Sequence, residues 1–408
     1  MLRSRRTWFA STLVAGLVGI AAVAGIATSG AGAAKPKPIV VGVSLSLSGD
    51  FSDGGKDAQR GYLLWAADVN ARGGLLGRPV KVKILDDGSS PTQVVTNYQQ
   101  LITHDHVNLV FGPYSTFLSR PASVVVARYG YAFFSGLAGG PALAASGLRN
   151  IINVALDGSR EFDGFANTAP KLANPPKTAA YLVLDNPFTK PQADRLKSKL
   201  EAGGVKTVLY EVYNDGFKDF SALTAKLAAA NPDVVMLGST DAETTAFTRA
   251  LIQQKFNPKA LLSAQGPDSS AFADAVGIQN TGGVIAASPW APSIKTFGNA
   301  KFVKDYLKKY GGKPADMGDF IALAYSVGQV AEQVVKTAGK IDQQRLIGTA
   351  QTRPWKAVTG GVLIGVSGFN VSGRSVTLQW QGGKPVVVLP KELANATLQY
   401  PKQRWPGQ

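Results

Sequence analysis

The residues of this sequence with the chemistry to hold a metal ion lie in two short stretches. His104 and His106 flank Asp105, and they are the only histidines of the chain. Asp86 and Asp87 follow an apolar run that is typical of a buried strand. The histidines precede such a run, so they lie at the sheet edge opposite to the one where parallel α/β sheets bind ligands. We therefore expect a solvated helix end at the histidines, whereas the aspartates fit either a metal site or a plain strand-end turn.

The side chains needed for common enzyme mechanisms are missing. The chain has no cysteine, which excludes disulfides, thiol catalysis and thiolate metal sites. No G-x-S-x-G motif occurs, and the position of the histidines leaves a Ser–His–acid triad without its base. We expect a protein that is not an enzyme, with no catalytic residues, no resident metal and no cofactor.

Loops of small and hydroxyl-bearing residues follow several of the predicted strands. The first strand is followed by SLSGDFSDGG, the third by FGPYSTFLSRP and the fourth by SGLAGGP. An ordinary turn between a strand and a helix explains any one of them. However, the carboxyl ends of parallel strands meet at the same sheet edge, so these loops should line one crevice. The arrangement favours binding of a ligand without chemistry.

The elements that position these loops alternate between apolar runs and helical periodicity. Strands are predicted at 39–47, 80–85, 109–111, 131–134, 179–184, 205–212, 234–237, 260–264 and 284–287. A long helix is predicted at 316–338, and VTLQW and PVVVLP are strand-like. Alternation of this kind indicates an α/β fold, and the length requires two doubly wound parallel sheets.

The first residues are typical of an export signal. Arg3, Arg5 and Arg6 precede an apolar run at 8–26, and small residues follow it. We expect a signal peptide over 1–33 with cleavage near Ala33; an uncleaved membrane anchor is the alternative. The formal net charge is +16, but the lysines are scattered and not interleaved with aromatic residues, so we do not expect nucleic-acid binding.

Three longer stretches resemble a known family. The first contains the pattern N-A-x-G-G-x-x-G, here NARGGLLG, followed by Asp86 and Asp87. The others are VNLVFGPYSTFLSRPASVVVARYGYAFFSGLAGGPAL and DFSALTAKLAAANPDVVMLG. Over 37–390 the chain resembles the type I periplasmic-type substrate-binding proteins of ABC transporters, in their branched-chain amino acid and amide class.

The resemblance implies two α/β lobes joined by three crossovers near Asp157, Pro289 and Val366. The first lobe would contain 37–156 plus 290–365, and the second 157–289 plus 366–400. An exported monomer of this type captures a small organic ligand between its lobes and delivers it to the transporter permease. A ligand-sensing or interaction protein on the same fold is the alternative, and an enzyme is less favoured.

The resemblance also implies residues of the first lobe that contact the ligand. Ser115 and Thr116 would offer hydroxyl and backbone N–H groups to a ligand carboxylate, with Tyr114 beside them. Further backbone groups would come from the loop that follows the fourth strand, at Ala138 and Gly139. In the first loop, Phe51 would form a wall of the site.

In the second lobe the sequence departs from the family pattern. Phe188 keeps the aromatic ring that stacks on the ligand but lacks the hydroxyl of the usual tyrosine. Gln265 stands where amino acid binders carry an acid for the ligand ammonium, although Asp241 or Glu243 could replace that acid. Because a buried ammonium needs an anionic partner, these departures predict an organic acid or amide with an apolar or aromatic body. The ligand could be amino acid-like, but we do not expect a simple α-amino acid.

Overall fold

A computed structural model describes residues 36–407 of the chain. The predicted signal peptide, 1–33, and its cleavage site near Ala33 lie outside the described residues. Within the described part, no helix is both long and apolar enough to cross a membrane.

The first sheet has five parallel strands in the order β2-β1-β3-β4-β5. Its strands are β1 (Ile39–Leu45), β2 (Val80–Asp86), β3 (Leu109–Phe111), β4 (Phe133–Ser135) and β5 (Ile151–Asn153). The helices between them are α1 (Ser52–Ala71), α2 (Pro91–Thr103), α3 (Thr116–Arg128) and α4 (Pro141–Ala144). β1, β3, β4 and β5 are almost entirely buried, as expected for a parallel sheet covered by helices, whereas the edge strand β2 is mostly half-buried.

The second sheet has seven strands in the order β14-β13-β10-β9-β8-β6-β7. They are β6 (Thr178–Leu184), β7 (Lys206–Tyr213), β8 (Val234–Gly238), β9 (Ala260–Ser263), β10 (Ile285–Ser288), β13 (Val376–Gln381) and β14 (Lys384–Leu389). The helices in this part are α5 (Asp163–Thr168), α6 (Thr189–Ala202), α7 (Phe220–Ala230), α8 (Asp241–Gln253) and α9 (Ser270–Val276). β13 and β14 run antiparallel to their neighbours, which makes this sheet mixed.

The segment between β10 and β13 returns to the first sheet. It contains α10 (Asn299–Tyr310), α11 (Asp319–Ala338), α12 (Gln343–Ala350) and a hairpin of β11 (Trp355–Ala357) and β12 (Gly360–Val362). α11 packs along α1 at very short range. A Cβ added to Gly61 of α1 would lie 2.3 Å from the Ile321 carbonyl oxygen, and one added to Gly328 of α11 would lie 2.2 Å from the Trp65 ring.

The predicted α/β class with two doubly wound sheets is confirmed, and every predicted strand is present with ends shifted by a few residues at most. The second sheet differs from the prediction because its last two strands are antiparallel. The long helix begins at Asp319, after a single 3₁₀ turn over Pro314–Asp316. β5 and the β11–β12 hairpin were not predicted. The exact lobe boundaries stay a prediction.

Candidate ligand-binding site

Asp86 and Asp87 hold the first loop against the end of β1. The Asp87 carboxylate accepts hydrogen bonds from Ser44 Oγ at 3.0 Å and Ser46 Oγ at 2.6 Å. Asp86 accepts from the Leu47 N–H at 2.9 Å. Both aspartates therefore serve a strand-end turn. Among residues 36–407, no group of three or more His, Asp or Glu side chains is placed to hold a metal ion.

His104 ends α2 with its side chain 81% exposed, as a solvated helix end requires. Its Nδ1 lies 3.1 Å from Asp105, whose carboxylate also pairs with Lys83 at 2.6 Å.

The glycines of the first loop allow close approach of protein atoms to one another. A Cβ on Gly55 would lie 1.9 Å from the Ser46 carbonyl oxygen, and one on Gly54 would lie 2.5 Å from the Tyr114 ring. The space beside these glycines is therefore filled by the protein itself and is not open to a ligand. Phe51 is the residue of this loop that lines the cleft described next.

A cleft lies where the loops of the two sheets face each other. The empty space in the cleft, together with the solvent at its mouth, amounts to about 860 Å³. Most of the predicted site residues line it together: Phe51, Tyr114, Ser115, Thr116, Gly139, Phe188 and Gln265. Ala138 is buried behind the lining, and its carbonyl accepts a hydrogen bond from Asn153 Nδ2 at 2.6 Å. Asp241 lines an adjoining recess instead of the cleft itself.

The hydroxyls at the start of α3 already take part in the protein's own structure. Ser115 has a φ of +69° and caps the helix, accepting from the Leu118 N–H at 3.3 Å. The buried Thr116 hydroxyl accepts from the Gly140 N–H at 2.8 Å. A hydroxyl that accepts one hydrogen bond still has its own hydrogen to donate. Both side chains can therefore donate to an acceptor in the cleft.

Aromatic side chains form the walls and bring the two sides of the cleft together. The ring centroids of Phe51 and Tyr114 are 5.8 Å apart, and those of Tyr114 and Phe320 are 4.8 Å apart. Across the cleft, Gln265 Nε2 donates to the Tyr114 hydroxyl at 3.3 Å. The Phe188 ring lies against Gly139, where an added Cβ would be 3.2 Å from Phe188 Cε2. Two contacts therefore join the sides of the cleft: the hydrogen bond between Gln265 and Tyr114, and the contact between Phe188 and Gly139.

Acidic residues that the sequence analysis missed also line the cleft: Glu161, Asp268 and Asp319. Asp268 Oδ2 accepts from the backbone N–H of Asp319 at 3.1 Å, and Asp319 Oδ2 accepts from Ser288 Oγ at 2.8 Å. Asp268 follows Gln265 by only three positions, in the same loop. That spacing was the available signal for an acid at this place.

Burial raises the pKa of these carboxyls. The pKa of Asp319 lies well above its ordinary value because of burial, and the charges of Asp268, Asp241 and Asp57 raise it further. The pKa of Glu161 is raised in the same way, by burial first and then by the charge of Asp319. In the adjoining recess, burial raises the pKa of Asp241 to about 7. Such shifts are common at functional sites.

Comparison with known proteins identifies the family. The profile described as "Periplasmic binding protein" matches residues 38–384. The chain belongs to the periplasmic binding protein family. It is also 27% identical over 376 residues to a Leu/Ile/Val-binding protein homolog of Brucella melitensis, covering 90% of this chain and 98% of that protein.

Solved structures show the same fold. LivJ of Streptococcus pneumoniae, solved in complex with isoleucine, superposes with a TM-score of 0.78 at 19% identity, covering 90% of this chain and all of that one (100%). A solute-binding protein from R. palustris, in complex with benzoate, superposes with a TM-score of 0.75 at 18% identity, covering 90% of this chain and 97% of that one.

The family match confirms the resemblance found in the sequence, together with its main functional prediction. The chain is a periplasmic binding protein, and its family works outside the cytoplasm. Proteins of this family bind ligands for transport. The cleavage site near Ala33 and the individual site residues stay predictions.

Proposed function

We propose that this periplasmic binding protein captures a small, amino acid-like ligand that carries an ammonium group and passes it unchanged to the permease of an ABC transporter. The observation that carries the proposal is the pair of acids, Asp268 and Asp319, in the cleft that Ser115 and Thr116 also line. Hydroxyls and the N–H groups at a helix start suit a carboxylate or carbonyl, and carboxylates suit an ammonium.

This ligand class differs from the one that the sequence suggested. Gln265 offers a neutral amide, which argued against an ammonium, but Asp268 supplies a carboxylate from the same loop. The relatives named as Leu/Ile/Val-binding proteins support an amino acid-like ligand. Phe51, Tyr114 and Phe188 provide an apolar wall for the body of such a ligand.

Closure of two lobes is the proposed means of capture. The first lobe comprises 37–156 plus 290–365 and the second 157–289 plus 366–400, in support of which β1–β5 form one sheet and β6–β10 with β13 and β14 another. A ligand that contacts both lobes only when they are closed shifts the equilibrium toward the closed state. The protein acts in this way as a monomer and performs no reaction on the ligand.

Titration calorimetry with leucine, phenylalanine and their decarboxylated amines tests the proposal. We expect at least one of these compounds to bind, and Asp268→Asn to weaken that binding by about tenfold or more, because a buried ammonium loses its charged partner. Glu392→Gln removes an exposed carboxylate that pairs with Arg374, and it serves as the control. Absence of binding by all four compounds, or equal affinity in Asp268→Asn, would contradict the proposal.

A further inference from the structure

The ionisable side chains among the described residues that line the cleft are all acidic. Glu161, Asp268 and Asp319 contribute carboxyl groups, and none of the described residues lining the cleft is Lys, Arg or His. The chain as a whole has a formal net charge of +16. The acidic lining of the cleft therefore differs from the rest of the chain, which is basic on average. The reason for it must lie in what the cleft itself binds.

Asp319 has an oxygen that the protein leaves without a partner. Its side chain is only 8% exposed and lines the cleft. Oδ2 accepts from Ser288 Oγ at 2.8 Å, while the buried Oδ1 has no hydrogen-bond partner. A buried carboxylate oxygen without a donor is costly. A donor supplied by the ligand would remove this cost.

More acids surround the adjoining recess, which shares Asp268 with the cleft. They are Asp53 and Asp57 of α1 and Asp241 of α8. Arg60 pairs with Asp57 at 2.8 Å, and no Lys, Arg or His is among the described residues that line this recess. The recess therefore extends the negative field of the cleft and favours the approach of cations.

We propose that the ligand of this cleft carries a net positive charge: it is an organic amine with an apolar or aromatic body, whose positive charge exceeds that of any carboxylate it bears. This inference rests on the proposed function and deepens it. An α-amino acid with a neutral side chain brings one ammonium and one carboxylate, so it leaves the acids of the cleft uncompensated. The aromatic walls at Phe51, Tyr114, Phe188 and Phe320 suit a cation, because ring faces attract positive charge.

The pH dependence of binding follows from the groups that face Asp319. The carboxyls around it are Glu161, Asp268, Asp241 and Asp57, the last paired with Arg60, and the Tyr114 hydroxyl lies among them. Burial and mutual repulsion keep some of these carboxyl groups protonated in the ligand-free protein. A cation favours the ionised form, so its binding releases protons and its affinity increases as the pH rises.

Two matched sets of compounds test the inference by titration calorimetry. The first set is pentylamine, norleucine and hexanoate, which share one aliphatic chain and carry positive, zero and negative net charge. The second is 2-phenylethylamine, phenylalanine and 3-phenylpropanoate. In at least one set we expect the amine to bind about tenfold tighter than the zwitterion, and the anion to bind most weakly.

The amine should also bind more tightly at about pH 8 than at about pH 5. Asp319→Asn should weaken amine binding by about tenfold and flatten the pH profile, whereas Glu392→Gln should change neither. If the variant does not fold, the pH profile of the wild type decides.

Zwitterions that bind as tightly as the amines in both sets would overturn this inference and leave the proposed function standing, as would amine affinity that falls with rising pH. If neither amines nor zwitterions bind, both proposals fail.

Discussion

Thr116 combines a structural task with its predicted contact to the ligand. Its hydroxyl is buried at the start of α3 and accepts the hydrogen bond of the Gly140 N–H at 2.8 Å. Thr116 therefore holds the loop of Gly139 and Gly140 against the start of α3, and the same residue lines the cleft. Loss of this hydroxyl should therefore affect stability and binding at once.

Thr116→Val should lower the free energy of unfolding by about 1–3 kcal/mol, because the Gly140 N–H loses its partner. Binding should weaken by a similar amount, while the protein still folds. Thr116→Ser keeps the hydroxyl and should stay close to the wild type in both respects. Urea denaturation and calorimetry measure the two quantities. Unchanged affinity in both Thr116→Val and Ser115→Ala would place the site elsewhere.

Asp241 should make the ligand-free protein less stable as the pH rises. Burial, and then the charges of Asp268, Asp53 and Asp57, raise its pKa to about 7 from an ordinary value of 3.8. Between these values the folded chain keeps a proton that the unfolded chain has lost, so the free energy of unfolding falls as the pH increases.

Asp241→Asn should remove about 1–3 kcal/mol of the fall in unfolding free energy between about pH 4.5 and pH 7.5. Part of the slope should remain, because burial also raises the pKa of Asp57 to about 7. Urea denaturation of the ligand-free variant, the wild type and Glu392→Gln measures the slopes. Equal slopes in Asp241→Asn and the wild type would show that Asp241 is ionised in the folded protein across this range.

The hydroxyls and aromatic residues of the cleft were predictable because they belong to loops with a recognisable pattern. The acids were not. Glu161 follows the last strand of the first sheet, and Asp319 begins α11, far along the chain. Nothing in their local sequence shows that the fold brings them to one cleft, since their proximity and burial arise only from the packing of both sheets.

At the scale of elements, the close packing of α1 against α11 depends on glycine. A Cβ on Gly61 would lie 2.3 Å from the Ile321 carbonyl oxygen and 2.8 Å from the Ala324 Cβ, so one of the helices would have to move. By contrast, Gly348 of α12 has no atom within 4 Å of an added Cβ. The two glycines make a matched pair.

Gly61→Ala should destabilise the protein by about 1–3 kcal/mol through overpacking. Gly348→Ala should stabilise it by about 0.5–1 kcal/mol, because alanine has the higher helix propensity and meets no obstacle. Thermal or urea unfolding of both variants gives the comparison. Stabilisation by Gly61→Ala would show that α1 and α11 are not packed at this distance.

Strands were predicted well where an apolar run is long or is bounded by turn residues, because such runs are buried in parallel sheets. β5 and the strands of the β11–β12 hairpin have three residues each, too few for a period to be recognised. β3 and β4 are equally short, but the loops of small and hydroxyl-bearing residues that follow them made them recognisable. The antiparallel direction of β13 and β14 follows from the tight turn between them and from pairing with β10, which strand patterns alone do not reveal.

At the scale of the whole molecule, the main functional feature is a cleft that both sheets build. Tyr114 follows β3 of the first sheet, Gln265 follows β9 of the second, and a hydrogen bond of 3.3 Å joins them. The acids lie in the same cleft, so closure of the lobes would bring a ligand into contact with hydroxyls, aromatic rings and carboxylates together. One small molecule should be held there and leave the cleft unchanged.

Native mass spectrometry of the purified protein and of a Gly139→Leu variant measures whether one small molecule is bound in the cleft. A larger side chain at Gly139 meets the Phe188 ring, where even a Cβ would be 3.2 Å away, so the two sides of the cleft could not close on a ligand. We predict one small organic molecule per wild-type chain and none in the variant. On denaturation, the released molecule should have the same mass as the molecule bound in the intact complex. Equal occupancy in both proteins, or release of a chemically altered product, would show that the ligand is not simply held between the two sides of this cleft.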